Sequence, residues 1–147
     1  MFSNACEYGL KALAYIASRS IENQRVKIWD VSKYAGSPAA FTAKILGKLS
    51  KENILNSYTG PNGGFQMSPD QLRDVKVADV VRIIDGDDLL VKCIMGLDGC
   101  NADKPCPLHY QYAGIKQNIN KMLTNTSIYD LAVGLNAGET MLRREVK

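Results

Sequence analysis

The chain has 147 residues, 46% hydrophobic and 22% charged, with a formal net charge of +3. This ordinary globular composition suits one domain, or a small domain with an appendage, and its core needs no disulfide staples. No apolar run reaches the ~20 residues of a membrane span, and the start "MFSNACEYGLKALAYIASRS" lacks the basic stretch that opens a signal peptide.

The first element is a helix over Ser3 to Ser18. Cys6, Leu10, Leu13 and Ala17 recur at helical spacing. Ser3 is placed to cap it, and Glu7 lies in its early turns, where a negative charge suits the dipole. After the polar stretch "SIENQRVK" a short helix spans Ile28 to Ala35 and stops at Gly36. Ser37 and Pro38 start the next one, a capping hydroxyl followed by a residue whose missing N–H does no harm there. It runs to about Ser50 with Phe41, Ile45 and Leu49 as its buried stripe. Ala39, Ala40, Thr42, Ala43, Lys44 and Lys48 are left facing outward. Two short helices joined by a tight glycine turn make a helix-turn-helix.

A hairpin follows, Ile54 to Tyr58 and Phe65 to Met67 around a Gly/Pro/Asn turn. That order predicts a winged helix-turn-helix, mostly α with a small β-hairpin wing, whose second helix enters the major groove of double-stranded DNA. The expected DNA-contacting set is Ser37, the outward positions of that helix, and Thr59, Gly60, Asn62, Gly63 and Gly64 on the wing. Lys44 and Lys48, one turn apart, supply salt-dependent affinity. Ala39, Thr42 and Ala43 suit thymine methyls. The mild basicity, with a pI near 8.6, permits such a polyanionic partner.

Pro69 opens a short turn. "VKVADVVRIIDG" gives a helix with Val77, Val80, Val81 and Ile84 apolar and Gly86 as its stop. From about Pro107 a long helix carries Leu108, Tyr112, Ile115, Ile119 and Met122 at steps of four, three, four and three. That stripe suits a partner helix, so a homodimer interface is expected there. A short helix at "TSIYDLA" and a polar tail complete the chain. The expected domain organisation is a winged helix-turn-helix DNA-binding domain 1–86, a cysteine-rich metal- or cluster-binding loop 87–106, and a dimerisation helix and tail 107–147.

The stretch "CIMGLDGCNADKPCPLHY" holds three of the four cysteines and the only histidine. A cytoplasmic location is expected, where thiols stay reduced. Clustered cysteines then point to metal or redox chemistry. Thiolates are strong soft ligands for iron and zinc, and imidazole can stand in for one of them. Three cysteines and a histidine also suit tetrahedral zinc. Cys6 reads as a core thiol on the first helix.

Together these pieces resemble the bacterial winged-helix regulators of the IscR/NsrR/CymR family. "EYGLKALAYIA" resembles that family's first-helix signature, "SPAAFTAKILGKLSKENIL" falls at its recognition helix, and "TGPNGGF" is close to its glycine-rich wing. "VKVADVVRIIDG" and the loop ending in "CPLH" follow in the same order. The resemblance implies a homodimer on pseudo-palindromic operators and an iron–sulfur cluster, 2Fe–2S or 4Fe–4S, held by Cys93, Cys100 and Cys106. It implies two choices for the fourth ligand. His109 matches the histidine of the iron–sulfur biogenesis regulators, and Glu7 matches the first-helix acid that the nitric-oxide sensors supply from the other subunit. The family's wing often carries an arginine where Thr59 stands, and the biogenesis regulators present Glu-Gln where Ala43 and Lys44 stand, so a different operator is implied.

The expected function is a transcriptional regulator whose operator affinity follows the state of the cluster. One alternative is a cluster-free regulator that uses its cysteines as thiol switches or zinc ligands, or that senses a metabolite or protein partner. A metal or redox enzyme that borrows a winged helix finds no nucleophile–base pair in the sequence.

Overall fold

The computed structural model describes residues 1–144; the last three residues of the polar tail lie outside the described residues. Helix α1 (Asn4–Ser20) starts where Ser3 accepts a hydrogen bond from the Cys6 amide at 3.0 Å. Small residues fill its inner faces, and Cys6, Leu13, Ile16 and Ala17 are fully buried. Four other helices and one strand of the hairpin pack against it, so α1 is the axis of the core.

Helices α2 (Ile28–Ala35) and α3 (Ala39–Lys51) form the helix-turn-helix. Gly36 turns the chain in the left-handed region, φ 70° and ψ 33°, which costs a glycine least. The start of α3 differs from expectation. Pro38 occupies the cap position, and no side chain caps the helix. The Ser37 hydroxyl is buried and meets no protein partner among the described residues. The Thr42 hydroxyl donates instead to the Pro38 carbonyl at 2.9 Å.

The inner stripe of α3 is accordingly Thr42, Ile45, Leu46 and Leu49, spaced three, one and three residues apart. Phe41, expected inside, is 39% exposed and packs edge-on against Tyr8 with ring centroids 6.1 Å apart. Thr42, expected outside, is buried because its hydroxyl finds that carbonyl and its methyl fits the core.

Strands β1 (Asn56–Tyr58) and β2 (Gly64–Gln66) pair antiparallel, with Ser57 opposite Phe65. Ile54 and Leu55 are buried ahead of the strand rather than within it. Val26 joins the hairpin through a bridge to Phe65, exchanging hydrogen bonds of 3.0 and 2.8 Å. Gly64 takes φ +131°, and a Cβ there would lie 2.7 Å from the Val26 carbonyl oxygen. The close packing of three backbones therefore calls for a glycine.

Helix α4 (Pro69–Asp74) stands where only a turn was expected, closed by a capping box between Ser68 and Gln71. Helix α5 (Val77–Asp85) ends at Gly86 as expected. One further helical turn, α6 (Asp88–Val91), leads into the cysteine loop. Helix α7 (His109–Asn125) buries only Leu123. Helix α8 (Ile128–Asn136) is capped by Ser127 and Asp130 and returns to pack on α1 through Ile128 and Ala132. One core thus takes residues from both ends of the chain, across the expected boundaries at 86 and 106.

Candidate functional site

Two surfaces concentrate the residues singled out in the sequence. The first lies on α3 and the wing. Ala40, Ala43, Lys44 and Lys48 are exposed on the face of α3 opposite its buried stripe, with Ala39 half-buried at its start. Thr59, Gly60 and Asn62 are exposed at the wing tip, whereas Gly63 is buried and Gly64 half-buried. A Cβ on Gly63 would collide with the Tyr58 and Gly60 carbonyls, so these two glycines are demanded by the tightness of the wing itself. Thr42 and Ser37 face inward and stand apart from this surface.

Sequence reading missed three residues beside the wing. Val26 is buried, and strand alternation sends its neighbours Arg25 and Lys27 to the other side. There the Arg25 guanidinium stacks 3.6 Å from the Tyr58 ring centre. It donates to the Asn62 carbonyl at 2.9 Å and to Gln66 Oε1 at 3.3 Å. Lys27 Nζ donates to the Pro61 carbonyl at 2.9 Å. Trp29, the chain's only tryptophan, is 73% exposed near the start of α2. The basic–apolar–basic order of Arg25, Val26 and Lys27 was the available signal.

The second surface is the cysteine loop. Cys93 and Cys106 are covered by the loop, and Cys100 is exposed. The Cys93 thiol is held below its ordinary range, chiefly by the backbone N–H of Leu97, against the opposing effect of burial. The N–H groups of Met95 and Gly96 and the neighbouring Cys106 thiol add to the lowering. Burial pushes the Cys106 thiol up, with the Leu108 N–H acting the other way. Cys100 Sγ lies 3.7 Å from His109 Nδ1 and 3.1 Å from Lys116 Nζ.

The four donors therefore gather as two neighbouring pairs, Cys93 with Cys106 and Cys100 with His109. Among the described residues no three such side chains converge on a single-ion site. Glu7 is exposed in the first turn of α1 and, among the described residues, makes no hydrogen bond to the loop. Cys6 is fully buried, and its thiol is pushed up to about 12, mainly by burial and then by Asp85.

On α7, Leu108, Ile115 and Met122 are exposed at 39%, 54% and 52%, and Tyr112 and Ile119 are half-buried. Ile119 packs against the chain's own core, so the expected apolar stripe is partly consumed, and Leu108, Ile115 and Met122 are its exposed part.

A helix-turn-helix carrying a basic outward face, followed at once by a hairpin, defines a winged-helix DNA-binding protein. The Rrf2 family model, described as iron-dependent transcriptional regulator, matches residues 2–134, and the chain belongs to that family. It is a transcriptional regulator rather than an enzyme.

A putative HTH-type transcriptional regulator of Aquifex aeolicus is 30% identical over 89% of this chain and 90% of its own length. The HTH-type transcriptional regulator IscR of Xenorhabdus nematophila is 26% identical over 84% of this chain and 74% of its own. Among solved structures, CymR, the global cysteine regulator of B. subtilis, superposes with a TM-score of 0.71. It covers 90% of this chain and 96% of its own at 18% identity. The T. potens IscR structure also gives 0.71 at 18% identity, over 95% of this chain and 91% of its own. At that identity both likenesses speak for the fold. No helix among the described residues is long and apolar enough to cross a membrane.

Proposed function

We propose that the chain is a cytoplasmic, homodimeric regulator of a pseudo-palindromic operator, its affinity set by an iron–sulfur cluster on Cys93, Cys100 and Cys106. His109, or Glu7 from the second subunit, completes the ligand set. When bound, such a cluster supplies a redox-active centre that oxygen or nitric oxide destroys.

The observation that carries this reading is the continuity of loop and helix. His109 is the first residue of α7, and Lys116, about two turns further along the same face, donates to both Cys100 Sγ and the Lys92 carbonyl. One donor, His109, therefore shares α7 with the exposed Ile115 and Met122, and Lys116 ties Cys100 of the loop to the same helix. A change in the loop reaches the seam that spaces the two recognition helices, and two half-sites must be met at once.

The donors suit a cluster. Three thiols and an imidazole gather in one loop as two pairs, and backbone N–H groups favour thiolate at Cys93. N–H groups around sulfur are a usual feature of cluster sites.

The test is anaerobic purification and reconstitution of the full chain, with iron, sulfide and visible absorption measured beside the Cys100→Ala and His109→Ala variants. Loss or alteration of the centre in Cys100→Ala is expected. An unaltered centre in both variants would remove the ligand assignment.

One observation favours a second reading. The Cys93 thiol is lowered and interacts with its neighbour Cys106, the pair that a thiol switch would join. The two thiols would lose two electrons and two protons to an oxidant such as hydrogen peroxide. A colourless protein whose DNA binding changes with peroxide and recovers with dithiothreitol would favour this thiol switch over the cluster.

A further inference from the structure

A groove of about 400 Å³ separates α3 from the wing. Ala43 of α3, Tyr58, Gly60 and Gly63 of the wing, and Lys27 and Trp29 from the segment before and into α2 line it. No carboxylate lines it. We infer that this groove seats one sugar–phosphate strand of the bound duplex, and that the segment Arg25–Trp29 is a third DNA-contacting element beside α3 and the wing. The inference rests on the winged-helix DNA-binding reading and adds residues to it.

If α3 lies in the major groove and the wing tip lies along the minor groove, a single backbone strand separates them. Whatever stands between α3 and the wing then stands against that strand. Here it is a cation and an aromatic ring. Lys27 Nζ spends one of its three donors on the Pro61 carbonyl, leaving two for a phosphate oxygen. The Trp29 indole offers a flat face to a deoxyribose and one N–H donor to a phosphate.

The exposure of Trp29 supports this role. Its neighbours in α2 are half-buried Ile28 and fully buried Val31, so the helix has an inner face that Trp29 does not use. Arg25 is a positioning residue. Stacked on Tyr58 and bonded to the Asn62 carbonyl, it fixes the height of the wing above the groove. The wing tip has Thr59 in the place of a cation, and the cations brace it from below instead.

Trp29 is the chain's only tryptophan, so its fluorescence reads this groove alone. The probe is a fluorescein-labelled, mixed-sequence duplex of about 30 base pairs at low salt, where backbone contacts dominate. Fluorescein anisotropy reports binding. Acrylamide quenching of Trp29 in the same full-length protein, with unlabelled duplex, reports burial.

We expect the quenching constant to fall at least twofold at saturation and Trp29→Ala to weaken binding at least fivefold. Lys27→Gln should lower the slope of log K against log salt by about one. If anisotropy shows binding while Trp29 stays as quenchable as in the free protein, the groove assignment is overturned and the DNA-binding reading stands. If anisotropy shows no binding to any duplex, the DNA-binding reading falls and the groove assignment with it.

Discussion

Cys6 and Glu7 are adjacent in sequence and meet opposite surroundings. Glu7 is exposed, and Cys6 is fully buried with its thiol raised to about 12 from an ordinary 9.0. A raised thiol favours the protonated form in the fold. Its contribution is fully present below the unfolded value near 9.0 and is lost as pH climbs toward 12, at most about 1.4 kcal/mol per pH unit. Chemical denaturation across that window should therefore show a shallower alkaline decline in Cys6→Ala than in the native chain. Parallel declines would mean that Cys6 does not carry it. Gly64 gives a second test at this scale. A side chain there is strained at φ +131° and crowds the Val26 carbonyl, so Gly64→Ala should cost about 1–3 kcal/mol. It should also weaken DNA binding, because the wing would shift. A variant with unchanged stability and affinity would contradict the tight-wing explanation.

Among the elements, α3 separates structure from function by face. Lys44 and Lys48 are exposed and make no ion pair among the described residues. Replacing either with Gln should leave the unfolding midpoint nearly unchanged and lower the salt slope of DNA binding by about one. An unchanged slope would take that lysine off the interface.

Much at this scale was legible. Helix α1 announced its cap through Ser3, α2 its stop through Gly36, and α5 its stop through Gly86, because those signals are local. The box of Ser68 and Gln71 that makes α4 a helix was equally local and was read as a turn. Thr42 was not legible, since only the nearby Pro38 carbonyl makes its hydroxyl welcome in the core. The places of Arg25 and Lys27 beside the wing were not legible because they depend on the bridge from Val26 to the distant Phe65.

On α7 the stripe was plain from spacing, and its exposure in the single chain is what the fold adds. Under the dimer proposal, Ile115→Asp should shift sedimentation toward the monomer while the helical circular dichroism is kept. A dimer that persists unchanged would move the interface elsewhere.

In the molecule as a whole, one core built on α1 ties the DNA-binding face to α7. Helix α8 closes on α1, and the α4–α5 junction meets the α7–α8 junction through bonds from Val77 N to the Thr126 carbonyl at 2.9 Å and from Ile128 N to the Val75 carbonyl at 3.0 Å. With the body tied in this way, a rearranged loop has α7 as its outlet. The proposed regulation is a coupling between loop occupancy and half-site spacing. It is tested most directly by dividing one anaerobic preparation, stripping iron from half by chelation, and titrating both halves onto one selected duplex at one salt concentration. The two dissociation constants should differ at least tenfold, a coupling of about 1.4 kcal/mol. Equal constants, with iron and sulfide verified in only one half, would contradict it.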